Sequence, residues 1–136
     1  MGSGPNYVLD KGYVATGSSA YTAGELVVAS GDGTKSARAT SANAEVLGVN
    51  QENCDASRVT TGKAVLDTRL LGIARVLAGA AIAVGDKLAN DATARAVPKA
   101  KAAAGAQPGP VFGKALTAAT AAGQYVDVLL TPGGQY

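Results

Sequence analysis

Short runs of alternating apolar and polar residues, cut by glycine, govern the chain from Tyr13 onward. Glu25-Leu26-Val27-Val28-Ala29 predicts a strand, and Lys35-Ser36-Ala37-Arg38-Ala39 predicts its return in a hairpin. Between them, Ser30-Gly31-Asp32-Gly33 predicts a turn. Two glycines accept positive φ there, and the aspartate can bond its own backbone. Val46-Leu47-Gly48-Val49 predicts a further short strand. Arg58 to Leu77 is the richest β region, with Val65, Asp67 and Arg69 on one face of a strand and Ala64, Leu66 and Thr68 on the other. Ala78 to Ala81 predicts a turn or one helical turn. Lys99 to Pro110 predicts a long surface loop, because Gly105, Pro108, Gly109 and Pro110 end any helix that Ala and Lys begin. The last strand is expected from Gln124 to Leu130, with Val126, Val128 and Leu130 facing one way and Pro132-Gly133-Gly134 ending it. The pattern predicts an all-β fold, a small barrel or sandwich of seven to nine short strands with Gly-rich turns.

Residues 1–12 stand apart. Gly2, Ser3, Gly4 and Pro5 do not hold a helix, and Tyr7-Val8-Leu9 is a short apolar extended patch. This segment is expected to be an extended N-terminal arm, ahead of a single β domain over 13–136. It is either a frayed terminus or a strand offered to a neighbour's sheet edge.

The chain also echoes itself. Aligning Gly24 with Gly85 aligns Glu25 with Asp86. It then brings Ser36-Ala37-Arg38-Ala39 against Thr93-Ala94-Arg95-Ala96, after a turn four residues shorter, and Val46-Leu47-Gly48 against Val111-Phe112-Gly113. Two Gly-rich hairpins resemble one another by turn chemistry alone. Alternatively the halves, 20–50 and 80–116, are a duplicated β-unit packed around one core. In either case Gly24 and Gly85 are expected at positive φ, with Glu25 and Asp86 bonding nearby amides. That is structural work, not a paired acid–base site, which needs a pocket between its carboxylates.

Composition narrows the function. Hydrophobic residues make up 47%, yet the chain has one Phe, no Trp and one Met. A core of Ala, Val, Leu and Ile buries little apolar area per residue, which favours self-assembly or docking on a larger surface. The net charge is +2, from 12 basic and 10 acidic residues spread singly. There is no basic face interleaved with aromatics, so nucleic acid is not an expected partner. Leu70 to Gly85 is too short and carries Arg75, so no membrane span is expected, and the first residues lack a secretory pattern. Cys54 stands alone in a chain without histidine, which leaves a thiol no base and a metal no imidazole. No calcium loop, phosphate loop or dinucleotide fingerprint occurs. The chain is expected to be no enzyme and to use no cofactor or metal.

From Ile82 to Leu88 the chain reads IAVGDKL, followed by Ala-Thr-Ala-Arg-Ala, by Gly113-Lys-Ala-Leu116 and by Ala121 to Leu130, AAGQYVDVLL. These segments, in this order, resemble the small capsid decoration, or cement, proteins of tailed bacteriophages. The resemblance covers about residues 63 to 130, is weaker for 13 to 62 and does not extend to the first dozen residues; the chain departs from the family in its long Ala/Pro loop, 99 to 110. It implies an all-β subunit, often trimeric, that binds the outer capsid surface and ties neighbouring coat subunits together. By this resemblance the partners are the major capsid protein and the chain itself, as a homotrimer. The location is the virion surface, after synthesis in the host cytoplasm. The arm residues Tyr7, Val8 and Leu9 are then the expected contact with coat protein or neighbour. Another self-assembling β subunit, of tail or surface-layer type, is the alternative, followed by a small ligand-binding β-barrel.

Overall fold

The computed structural model describes residues 8–136. Ten strands and one short helix follow in order: β1 Leu9–Ala15, β2 Leu26–Ser30, β3 Lys35–Arg38, β4 Gly48–Asn50, α1 Ala56–Thr60, β5 Val65–Leu71, β6 Ile73–Leu77, β7 Lys87–Asn90, β8 Ala96–Pro98, β9 Pro110–Ala115 and β10 Tyr125–Gln135. The fold is all-β, with more strands than the seven to nine that the pattern predicts.

The first five strands form a closed barrel in the order β1-β3-β2-β4-β5. The last five form a sheet in the order β6-β10-β9-β7-β8. Its two edge strands approach one another through a parallel bridge between Ala78 and Ala96. The two sheets repeat each other pairing by pairing. Tyr13 opposite Leu66 in the first corresponds to Val76 opposite Val126 in the second. Val27 opposite Gly48 corresponds to Leu88 opposite Gly113, and Val49 opposite Arg69 to Lys114 opposite Leu129. Even the uncommon parallel contact repeats, with Ala15 beside Ser36 and Ala78 beside Ala96.

This register matches Val46-Leu47-Gly48 with Val111-Phe112-Gly113, as the sequence alignment has it, but corrects the hairpin before them. Val27 pairs with Arg38 and Leu88 with Pro98, so Arg38 corresponds to Pro98 and not to Arg95. Arg95 stands in the turn between β7 and β8, next to Ala94 at φ 63°. The two Ala-Arg-Ala triplets are therefore a coincidence of small residues. The repeated unit is also longer than 20–50 and 80–116, because it takes in the strands on either side.

Other boundaries move for physical reasons. Leu9 to Gly12 lie in β1, paired antiparallel with β5 from Leu71 to Asp67, so the segment ahead of the body is shorter than 1–12. Arg58 begins no strand. Ala56–Thr60 is one turn of helix, with Val59 buried and the Thr60 hydroxyl donating to the Ala56 carbonyl at 2.8 Å. Pro132-Gly133-Gly134 does not end the last strand. A bulge between Leu130 and Gly134 absorbs the proline, and pairing resumes with Gly134 opposite Val111.

The cores are thin. One cluster gathers Ala15, Tyr21, Val27, Cys54, Val59, Ala64 and Leu66 inside the first barrel. The other gathers the second sheet's Val76, Ile82, Leu88, Phe112, Val126 and Val128, and takes in Leu26 and Val49 from the first. Gly48 and Gly113 sit where strands press closest. A Cβ at Gly48 would strike the Arg69 carbonyl oxygen, and one at Gly113 would strike Val128 and the Leu129 carbonyl. Gly24 and Gly85 have φ of 94° and 89°, but only Gly24 is also crowded, since a Cβ there would lie 2.7 Å from the Tyr125 ring.

These differences rank four substitutions. Gly48→Ala and Gly113→Ala should each cost about 1–3 kcal/mol, because backbone cannot yield as a side chain can. Gly85→Ala should cost about 1 kcal/mol from backbone strain alone, and Gly24→Ala should exceed it by the added clash. Chemical denaturation of the four variants gives the order, and a Gly85→Ala cost equal to or above that of Gly24→Ala would refute it.

Candidate attachment surface

The two Gly-acid turns share the hydrogen bonds that close them. The Thr22 amide donates to the Glu25 carboxylate, and the Ala83 amide donates to Asp86 at 2.9 Å. The Glu25 and Asp86 amides return to the Thr22 and Ala83 carbonyls, each at 3.2 Å. The Gly24 and Gly85 amides donate to Asn50 and Ala115, each at 2.8 Å. Each carboxylate thus closes its own turn and has no second carboxylate facing it across a cleft. Glu25 is buried, with Arg38 Nη2 at 2.6 Å from its Oε2, whereas the matching Pro98 leaves Asp86 without such a partner.

Cys54 is buried opposite Tyr21, at the place where Ala119 faces Ile82 in the second sheet. An alanine serves equally well there, which makes Cys54 a small core side chain. Among the described residues no three His, Cys, Asp or Glu side chains gather as a metal site would require, and no helix is long and apolar enough to cross a membrane.

Three shallow grooves of about 220 to 300 Å³ are each walled by an arginine, Arg38, Arg58 or Arg75. A narrower depression, between Val46, Leu70, Val111, Phe112 and Leu130, holds only about 20 Å³. That is room for about one water, far below the roughly 300–1,000 Å³ of a small-molecule site.

The outer faces of the sheets are more informative. Val8 and Leu9 are exposed at the start of the body, while Tyr7 lies outside the described residues. Leu9 pairs with Leu71, which is also exposed. Two residues on, Ile73 pairs with Leu129, and both of these are exposed too. β5, β6 and β10 thus add Leu71, Ile73 and Leu129 to the exposed aliphatic side chains Val8 and Leu9. The sequence carries a signal for two of these. The doublets Leu70-Leu71 and Leu129-Leu130 each break the in-out alternation, so one leucine of each pair must face outward.

Beside this apolar group, Arg69 donates from Nε and Nη2 to the Asp10 carboxylate at 2.9 and 3.1 Å, and from Nη1 to the Ile73 carbonyl at 3.0 Å. The hydrogen bonds from Arg69 hold the Asp10 carboxyl below its ordinary value of 3.8. In the turn after β7, burial would raise the Asp91 carboxyl. The amides of Arg95 and Thr93 and the Thr93 hydroxyl outweigh it and hold that group low as well.

No family model and no curated protein matches the chain. A solved structure does. The chain is similar to the N base of head fiber gp8.5 of bacteriophage phi29, at 22% identity and a TM-score of 0.64, over 93% of this chain and 96% of that one. The two share a fold. The correspondence runs almost end to end, so it takes in both sheets and not only the part after residue 63 on which the sequence resemblance mainly rests.

The Asp10–Arg69 pair gives a pH dependence. A carboxyl with a lowered folded-state pKa stabilises the fold above its unfolded value, and that contribution fades as pH falls through the folded one. Asp10→Asn should therefore cost about 0.2–1 kcal/mol at pH 7, the range of a partly exposed pair. The gap to the parent should shrink below about pH 4. Unfolding free energies of both proteins between pH 2 and 7 give the curve, and a gap that widens in acid would contradict it.

Proposed function

We infer that this chain is a structural protein of a tailed-phage virion. It attaches to the outside of the capsid, bridges coat subunits and works as a homotrimer made in the host cytoplasm. The observation that carries this reading is the end-to-end likeness in fold to the base of a phage head fiber. The molecule's own surface supports it. The polar groups of the turns are consumed internally, the three larger grooves are shallow and walled by arginine, and the exposed chemistry includes half-exposed aliphatic side chains. Such a surface suits a flat protein contact better than a small ligand.

On this reading Tyr7, Val8 and Leu9 contact the coat protein or a neighbouring subunit. Leu9 is fixed in β1 and Val8 directly precedes it, so the contact begins at the edge of a rigid body. Individually weak attachments, repeated around a trimer, sum through effective concentration. The sheet that β1 belongs to is closed, so the body offers no free edge there and the contact rests on side chains.

The test uses purified capsids that lack the protein. The full chain should bind them saturably and raise the temperature at which they disrupt. Deleting residues 2–7 removes Tyr7 and spares β1, and should weaken binding at least tenfold. No saturable binding by the full chain would exclude the capsid reading, and unchanged binding by the truncated one would exclude the arm as the contact.

A further inference from the structure

We propose that the outward face of β6 and β10, centred on Ile73 and Leu129, is the surface on which copies of this chain meet one another. This rests on the reading of the protein as a self-assembling virion subunit and assigns that assembly to named residues.

The repeated architecture supplies an internal control. Ile73 opposite Leu129 in the second sheet occupies the same register position as Asp10 opposite Arg69 in the first. There the fold accepts an ion pair, joined by two hydrogen bonds on the solvent side. The barrel therefore does not require apolar side chains at this position. Yet Ile73 is 50% exposed and Leu129 is 41% exposed, and the neighbouring pair Leu71 and Leu9, on the other side of Gly72, is 44% and 49% exposed. Leaving Ile73 and Leu129 in water has a cost that the fold does not demand, which marks this face as an interaction surface.

The surroundings select a second copy as the occupant. Asp10 and Arg69 border the patch on one side, and Arg75 opposite Asp127 borders it on the other. Both margins carry one charge of each sign, so the face is complementary to itself and not to a strongly acidic or basic partner. A head-to-tail contact would need an apolar recess elsewhere to receive these side chains. Among the described residues, the depression at Phe112 is too small, and the grooves beside Arg38, Arg58 and Arg75 each have a charged wall. A face that meets copies of itself lies at the rotation axis of the assembly, so in a trimer Ile73 and Leu129 of the three copies pack around the three-fold axis.

The double substitution Ile73→Asp with Leu129→Arg transplants the first barrel's ion pair into the second and is compatible with the fold by that precedent. Sedimentation equilibrium of the full chain should show an oligomer, and the double variant should associate at least tenfold more weakly while keeping the parent's far-UV circular dichroism and cooperative unfolding. If the variant misfolds, Ile73→Thr with Leu129→Thr, both good strand residues, makes the same test. A parent chain that stays monomeric at millimolar concentration, or folded variants that assemble like the parent, would overturn the proposal. So would variants that lose capsid binding while their association is unchanged, since the face would then be a coat contact. Weakened association in variants of a parent that never binds capsids would leave this inference standing and remove the functional reading instead.

Discussion

Everything in this molecule depends on a parallel contact between the first and third strands of each five-stranded unit. In the first, the Thr16 amide donates to the Ser36 carbonyl at 2.9 Å; in the second, the Gly79 amide donates to Ala96 at 2.7 Å. Strands so close across such narrow sheets leave little interior space, so the residues at the seam are Ala15, Ser36, Ala78 and Ala96. The chain's wealth of alanine and its want of aromatics follow from this geometry. Small barrels fill from within, and five strands leave room for few large side chains. Gly48 and Gly113 extend the constraint to the far side of each unit, where even a methyl group would press on the neighbouring strand.

The two units meet this constraint with different chemistry. Buried Asn50, Thr68 and Ser36 in the first stand where Ala115, Val128 and Ala96 stand in the second. The polar side chains have partners. Asn50 donates to the carbonyls of Thr22 and Glu52 and so holds the strand entry, as a buried amide must if it is not to destabilise. The second unit relies on apolar contact and reaches across to its neighbour. Asn90 donates to the Ser41 carbonyl at 2.7 Å and accepts from the Ala44 amide at 2.8 Å, fixing the connection between β3 and β4. Leu26 donates to Ala94, and Leu77 to Gly24, so backbone hydrogen bonds cross between the units in both directions. Tyr125, with Arg75 stacked at 4.5 Å, closes over Gly24 and donates to Ala23 at 3.1 Å. The side chain that would exclude any Cβ at Gly24 is the one that binds the two sheets together.

A duplicated frame with divergent faces separates structural demands from functional ones. Positions that keep their character in both copies serve the fold: the Gly-acid turns, the glycines of β4 and β9, and the small residues at the seam. Positions that keep their place but change their chemistry are free for other uses. Arg38 and Pro98 differ, as do Asp10–Arg69 and Ile73–Leu129, without disturbing a single strand pairing.

The sequence by itself determined the all-β class, most of the strand cores and the Gly-acid turns, because alternation and turn chemistry act over a few residues. The faces of β5 were legible for the same reason, with Leu66 and Thr68 inward and Val65 and Asp67 outward. The tertiary structure decided what depends on distant partners. A helical turn replaced a strand at Ala56–Thr60 because Val59 could be buried there. A proline stayed inside β10 because a bulge and the pairing of Gly134 with Val111 carried the strand past it. The true register of the repeat came from hydrogen bonds and not from the Ala-Arg-Ala triplets, since small residues recur wherever the barrel is narrow. The surface that joins Leu9, Leu71, Ile73 and Leu129 exists only after β1 pairs with β5 and β6 with β10. No local pattern brings those four residues together, because three separate parts of the chain must first close on themselves.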